Sequence, residues 1–298
     1  MRGIKDDLGY RLEEIAQDVY GVICAQDDSI RGGFGANQGF VILEDSVLVF
    51  DSGFSSKTAA FLETAITSLT DKKVRYLVNS HDHSDHVFGN YYFEKKYSTS
   101  GLRIISHAIC KDKIVKFGQE RLEYYKKMDE KLGSLLSSVK ICSPNVTYPD
   151  TGLKIKLEGI DFVFSHPPVG AHTLGDTILL MPKKNAVFAG DTILNSFFPN
   201  MEDANLDGWL DTLDDLDFET YDKFLPGHGD ISRKKQVLEF SAYLREVLKK
   251  LLTIVPTTAD IQQIRSCFET EGTEKWKARF IVERNIQALF GGKTEKQH

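Results

Sequence analysis

Cysteine is scarce. There are four in 298 residues, Cys24, Cys110, Cys142 and Cys267, widely scattered and with no Cys-x-x-Cys pair. That argues against a structural zinc ribbon and for reduced, partly buried thiols. No run approaches the roughly 18 apolar residues of a membrane span, and Met1 to Asp7 hold no apolar stretch of a secretion signal, so a cytoplasmic protein is expected. Basic excess is absent too. Lys and Arg total 37 against 43 Asp and Glu, a net charge of -6, which weighs against a nucleic-acid partner. The one glycine-rich stretch, Asp27 to Asn37, lacks the Gly-Lys-Ser/Thr ending of a phosphate-binding loop. No Ser-His-Asp or Cys-His motif stands out. What remains, 41% hydrophobic and 27% charged residues, is ordinary for a soluble globular protein of one large or two small domains.

What is present is concentrated histidine. Three of the eight histidines fall within six residues, in Asn79-Ser80-His81-Asp82-His83-Ser84-Asp85-His86. The stretch follows Val74 to Val78, an apolar run that reads as a buried strand. In an extended backbone residues i and i+2 point the same way, so His81 and His83 can reach one metal. Asp85 and His86 follow on the turn and can reach a second. A single histidine there would be a solvated loop residue. This density of imidazole and carboxylate has metal-ligand character.

Along the chain, Val19–Cys24 reads as a first strand, with Leu12 to Gln17 as a lead-in. Gly39–Leu43 and Ser46–Phe50 form a hairpin that runs into Asp51. Ser55 to Leu69 has helical spacing and completes a βαβ unit with Val74–Val78. Val87 to Phe93 starts a short helix, and Leu102–Ser106 is a strand. Residues 108–139 form one or two amphipathic helices outside the core, either a plain surface element or the lining of a substrate entrance. His107 reads as structural, and His166 fits no motif. Residues 144–150 read as a linker. Two hairpins follow, Leu153–Leu157 with Asp161–Phe164, and Thr177–Met181 with Ala186–Ala189. A long connection, Asn195 to Asp207, carries Phe197, Phe198, Pro199 and Met201, with Trp209 nearby; such apolar groups could wall a pocket. Gly208–Leu216 looks helical, Lys223–Leu225 is a short strand, and Ile231–Ile254, Ala259–Phe268 and Glu274–Leu289 form a helical tail.

His81-x-His83-x-Asp85-His86 resembles the signature of the metallo-β-lactamase superfamily. The resemblance extends to His172 in Gly170-Ala171-His172-Thr173, Asp191 in Val187-Phe188-Ala189-Gly190-Asp191, and His228 in Pro226-Gly227-His228-Gly229. It implies an α/β fold, an αββα sandwich, over residues 1–230; the resemblance ends near Gly229, and the helical extension over 231–298, read from its spacing, carries no chemistry. It also implies two Zn2+ ions per chain, with iron or manganese as alternatives. His81, His83 and His172 would hold one, Asp85, His86 and His228 the other, and Asp191 would bridge them. Metal binding pulls the pKa of water toward about 7, which gives a nucleophile at neutral pH. Asp85 would orient it and pass a proton to the leaving group. Asp51 would sit beneath the metal loop and orient its histidines. Phe34, in the glycine-rich loop, would be a substrate flap or an exposed loop aromatic. Asn195 would donate to an oxyanion or cap its loop.

The lactamase branch replaces the bridging Asp with Cys and lacks the second-metal His, whereas this chain has Asp191 and His86. Its ligand set is similar to the lactonase, glyoxalase II and general-hydrolase branches. The expected activity is hydrolysis of a cyclic ester or amide: a lactonase, of acyl-homoserine lactones or related lactones, with β-lactamase activity as a side reaction. The alternatives are a mononuclear iron persulfide dioxygenase and a glyoxalase II-like thioesterase. Two features depart from the nearer branches: Leu194 stands where acyl-homoserine lactonases carry Tyr, and Thr192 to Phe198 lacks the Gly-Cys-Gly-Arg-like stretch of glyoxalase II. Phe34, Phe197, Phe198 and Trp209 suggest an apolar pocket with few basic residues. The expected partner is a small-molecule substrate, with neither nucleic acid nor membrane; a homodimer is compatible with the sequence.

Overall fold

The computed structural model describes residues 9–24, 35–254 and 260–290. Two sheets face each other. The first orders β1 (Tyr10–Ala16), β2 (Val19–Cys24), β3 (Gln38–Ile42), β4 (Ser46–Phe50), β5 (Lys73–Val78), β6 (Arg103–His107) and β7 (Val146–Tyr148) in chain sequence. The second orders β12 (Lys223–His228), β11 (Ala186–Leu194), β10 (Ile178–Met181), β9 (Ile160–Ser165) and β8 (Leu153–Leu157). Both begin as antiparallel meanders and turn parallel where a helix intervenes, at β4–β5 and at β11–β12.

Strand alternation produces the layers. In β4, Leu48 and Phe50 point between the sheets, and Val47 and Val49 point out against helices. The space between the sheets is filled by Phe50, Val78, Phe164, Leu179, Phe188 and Leu225, with the Phe50 and Phe188 rings 5.4 Å apart. Outside the first sheet lie α1 (Ser56–Thr67) and α3 (Asn90–Tyr97). A capping box between Ser55 and Thr58 starts α1, which satisfies end donors that no helical carbonyl can reach. Outside the second sheet lie α6 (Leu206–Asp214), α7 (Lys234–Thr253), α8 (Ile261–Phe268) and α9 (Phe280–Phe290). Val187 and Phe224 share one apolar core with Phe240, Leu244, Ile264 and Val282, so that core runs on past residue 230. A helix pair, α4 (Ala108–Met128) and α5 (Glu130–Leu135), packs through Ile114, Leu122 and Leu132 around Phe54 and Phe88. The αββα sandwich expected from the sequence is therefore the fold.

Three segments differ from expectation. The lead-in at 12–17 is part of an edge strand, β1, whose run of Arg11, Glu13 and Glu14 hides its alternation. The linker at 144–150 contains the opposite edge strand, β7. The last predicted helix, Glu274–Leu289, is helical only from Phe280 on, in Phe280–Phe290. Before it, Lys277 exchanges main-chain hydrogen bonds with Ser196 and Phe198, which holds the chain extended.

What positions the site is the parallel ends. Asp51 follows β4, the histidine loop follows β5, Asp191 lies in β11 and His228 closes β12, all at carboxyl ends of strands. A helix of four residues, α2 (Ser84–Val87), turns the histidine loop back on itself. Because Phe188 joins the two sheets beneath these ends, Phe188→Ala should cost about 3–5 kcal/mol of stability. Urea unfolding monitored by circular dichroism measures this, and a loss below about 1 kcal/mol would mean that the inter-sheet core is not tightly packed.

Candidate metal centre

His81, His83 and His172 meet Asp191, and Asp85, His86 and His228 meet beside them; within each group the nearest nitrogen and oxygen atoms lie within 4.8 Å of one another. Local backbone explains how. At the end of β4 Asp51 adopts φ 60, a left-handed conformation that side chains rarely occupy, and so its carboxylate turns under the histidine loop. Its Oδ1 accepts the Ser80 amide at 2.8 Å, and its Oδ2 accepts both the Ser80 hydroxyl at 2.7 Å and His86 Nδ1–H at 2.8 Å. Ser80 Oγ in turn holds His81 Nδ1 at 2.8 Å. One carboxylate thereby fixes the tautomer of two rings and leaves both Nε2 lone pairs facing inward.

Asp191 is placed by an irregularity in β11. The parallel register with β12 slips on either side of Gly190, and such a slip re-aims side chains. Gly190 is needed there at φ 54, packed on Ser80. A Cβ on Gly227 would overlap the Asp191 carboxylate. Asp191 Oδ2 lies 3.4 Å from His172 Nε2, while its Oδ1 lies 3.2 Å from His86 Nε2 and 3.4 Å from His228 Nε2. His228 Nε2 is also 3.4 Å from Asp85 Oδ2. His83 presents Nδ1, 3.0 Å from His172 Nε2.

These atoms fit metal binding on a direct structural criterion. His81 Nε2, His86 Nε2 and Asp191 Oδ1 are buried without a hydrogen-bond partner among the described residues. Buried polar atoms are almost always satisfied, and these three face a common centre. The rings of His81, His83 and His172 stand at 78–90° to one another, so in-plane lone pairs can converge. A third group, His107, Asp150 and His166, fails the same test. Its two rings are stacked at 3.7 Å and 5°, so their lone pairs run side by side. His107 Nε2 instead donates to Asp150 at 2.9 Å, and His166 Nδ1 donates to the Asp176 carbonyl.

Electrostatics divides the two groups of ligands. Burial lowers His81 well below its ordinary value, with neighbouring imidazoles adding to the effect, and burial pushes His172 down to about 3. Burial would also lower His86 and His228, but the carboxylates of Asp191 and Asp85 outweigh it. His86 is raised well above the ordinary range and His228 to about 9.

A cavity of about 480 Å³ opens over the centre. Phe197, Phe198 and Leu194 line it. Trp209 does not. It is fully buried behind the site, its ring 5.3 Å from that of His172 and its Nε1–H donating to the Thr192 carbonyl at 2.8 Å. Asn195 is also outside the lining: its amide donates to the Asp230 carbonyl at 3.0 Å, which makes it a loop cap. Met201 is buried with its main-chain N–H on Asn285. Phe34 lies outside the described residues.

Of the two readings of residues 108–139, the one that lines the entrance holds, whereas the share of the tail in the wall was not anticipated. The outer helix α4 contributes Lys113, Phe117, Arg121 and Tyr124, and α9 contributes Ile281 and Arg284. The cavity carries three basic side chains, Lys113, Arg121 and Arg284, and the tail helps to form it. The α4 residues do recur at helical spacing, a signal present in the sequence. Asp203, beside His83 Nε2 at 3.4 Å, was also missed.

The chain belongs to the metallo-beta-lactamase superfamily, whose family model matches residues 31–228. Among solved structures, a metallo-beta-lactamase from Pontibacter korlensis superimposes with a TM-score of 0.61 at 15% identity, over 79% of this chain and 99% of that one. A double mutant of the sec-alkyl sulfatase PisA1 superimposes with a TM-score of 0.67 at 16% identity, over 97% of this chain and 52% of that one. No curated protein matches the sequence. No helix among the described residues is long and apolar enough to cross a membrane.

The split in proton affinity predicts how metal uptake depends on pH. A ligand nitrogen must be free of its proton. At pH 7.5, His172, at about 3, is already neutral, whereas His228, at about 9, carries a proton. Zinc titration of metal-free protein should therefore release at least one proton per chain at pH 7.5, from His228, and binding should weaken as pH falls. Calorimetry in buffers of different ionisation enthalpy measures the release; heats independent of buffer would contradict it.

Proposed function

We propose that this chain is a two-zinc hydrolase of small, largely apolar esters, with lactones as the preferred substrates and β-lactams as weaker ones. The observation that carries the reading is Asp191, whose two oxygens face the two histidine groups separately. His81, His83 and His172 would hold one ion and Asp85, His86 and His228 the other. When bound, the pair supplies Lewis acidity toward a substrate carbonyl and water activated near neutral pH. A mononuclear iron dioxygenase would have no use for a second converging buried group, and this favours the hydrolase.

The chain's own residues supply the remainder. The Asp85 carboxylate borders the cavity and is slightly exposed, so it can orient a water molecule and carry a proton to the leaving group. Leu194, Phe197 and Phe198 exclude water from one side of the reacting bond and bury an acyl group. No phenol stands at position 194, which favours lactones other than the acyl-homoserine type.

A second reading, hydrolysis of an alkyl sulfate ester, is supported by Lys113, Arg121 and Arg284 in the wall. The likeness to a sec-alkyl sulfatase over 97% of this chain also supports it. Arg121 already pairs with Asp82 at 2.7 Å and Lys113 with Asp203 at 3.5 Å, which places the lactone reading first.

The test is kcat/KM on one zinc-loaded preparation for a simple lactone, an acyl-homoserine lactone, a cephalosporin, a secondary alkyl sulfate, a phosphodiester and a glutathione thioester. The simple lactone should lead, and Asp191→Ala should lose more activity than any single histidine variant. A lead of more than about tenfold by the sulfate, phosphodiester or thioester, about 1.4 kcal/mol in transition-state binding, would reject the lactone assignment.

A further inference from the structure

We propose that Asp203 is the positioning residue for His83 and fixes it as a ligand through Nδ1; this rests on the metal-binding reading above. His83 differs from its neighbours. His81 and His86 turn Nε2 inward because Ser80 and Asp51 hold their Nδ1 atoms from below. His83 turns Nδ1 inward, toward His172 Nε2 at 3.0 Å, so its outer nitrogen is Nε2. The hydrogen-bond partner of that Nε2 among the described residues is Asp203 Oδ2, at 3.4 Å. A carboxylate can only accept, so it keeps the proton on Nε2 and leaves Nδ1 with its lone pair.

Asp203 comes from a different part of the fold than Asp51. It lies on the cavity wall, in the segment between β11 and α6 that carries Phe197 and Phe198. Lys113 of α4 holds it from the other side at 3.5 Å. Eight residues on, along the same face of α4, Arg121 Nη1 donates to the Asp82 carboxylate at 2.7 Å and to its carbonyl at 2.9 Å. Asp82 lies between the ligands His81 and His83. The cavity-facing helix thus grips the histidine loop at Asp82, through Arg121 and more distantly through Lys113 at 4.0 Å, and at His83 through Lys113 and Asp203. Its grip on His83 depends on one exchangeable carboxylate, since the His83 and Asp203 side chains are 15% and 33% exposed.

The test compares metal affinity, by chelator competition with zinc and by the visible spectrum of the cobalt-loaded protein, in wild type, Asp203→Ala, Asp203→Asn and Lys113→Gln. Asp203→Ala should weaken one of two metal equivalents by about 10–100-fold and alter the cobalt spectrum, while the other equivalent is unchanged. Asp203→Asn keeps an acceptor oxygen and should fall between Ala and wild type. Lys113→Gln removes the outer ion pair with Asp203 and a 4.0 Å approach to the Asp82 carboxylate, which Arg121 still holds at 2.7 Å, and should bind metal within about threefold of wild type. Unchanged affinity in folded Asp203→Ala and Asp203→Asn, with only KM altered, would overturn the proposal and leave Asp203 a substrate contact. An equal loss in Lys113→Gln would overturn it in favour of general packing. Wild-type protein that takes up neither metal would instead defeat the metal-binding reading itself.

Discussion

Three carboxylates and five imidazoles, brought together out of water where two sheets meet, impose the constraint on which the site depends. Burying ionisable groups costs several kcal/mol each unless each is paired. Asp51 meets that constraint by accepting three hydrogen bonds, from the Ser80 amide, the Ser80 hydroxyl and His86. Asp191 meets it only in part. It is surrounded by His86, His172 and His228 at 3.2–3.4 Å, yet its Oδ1 lacks an aligned donor. Positive charge placed among these atoms would relieve the strain that burial creates, and the ring orientations allow it.

The same constraint accounts for the scaffold around the centre. Parallel strands leave their carboxyl ends on one side; Asp51 and the histidine loop follow such ends, His228 closes one, and Asp191 lies in the carboxyl-terminal half of β11. Close approach there requires Gly190 and Gly227, where a side chain would meet Ser80 or the Asp191 carboxylate. Trp209 fills the space behind His172 and has no contact with the cavity. The helices after residue 230 extend the core under the second sheet and then reach the cavity through Ile281 and Arg284. The cavity wall is thereby divided between residues 31–228, which the family model matches, and a helix outside them.

Much of this was legible because it is local in sequence. Histidines two apart on an extended segment must share a side, and an apolar strand ahead of them must bring them to a sheet edge. Asp51 was anticipated through family resemblance, and the αββα layers through alternation and helical spacing. What escaped was tertiary. Asp203 and Lys113 are 90 residues apart in sequence and meet only because α4 folds over the loop after β11. Trp209 looked like a wall residue because it is aromatic and near Phe197. Its indole N–H had a carbonyl to reach, which allowed full burial. β1 was obscured because an edge strand tolerates charge along its exposed side.

The central claim is that Asp191 bridges two metal ions. The most direct measurement is a crystal structure of zinc-loaded protein with anomalous difference maps at the zinc edge. Two peaks about 3.5–4 Å apart are expected, one against His81, His83 and His172, the other against Asp85, His86 and His228, with an Asp191 oxygen on each. A single peak, with Asp85 and His228 turned away from it, would contradict the account.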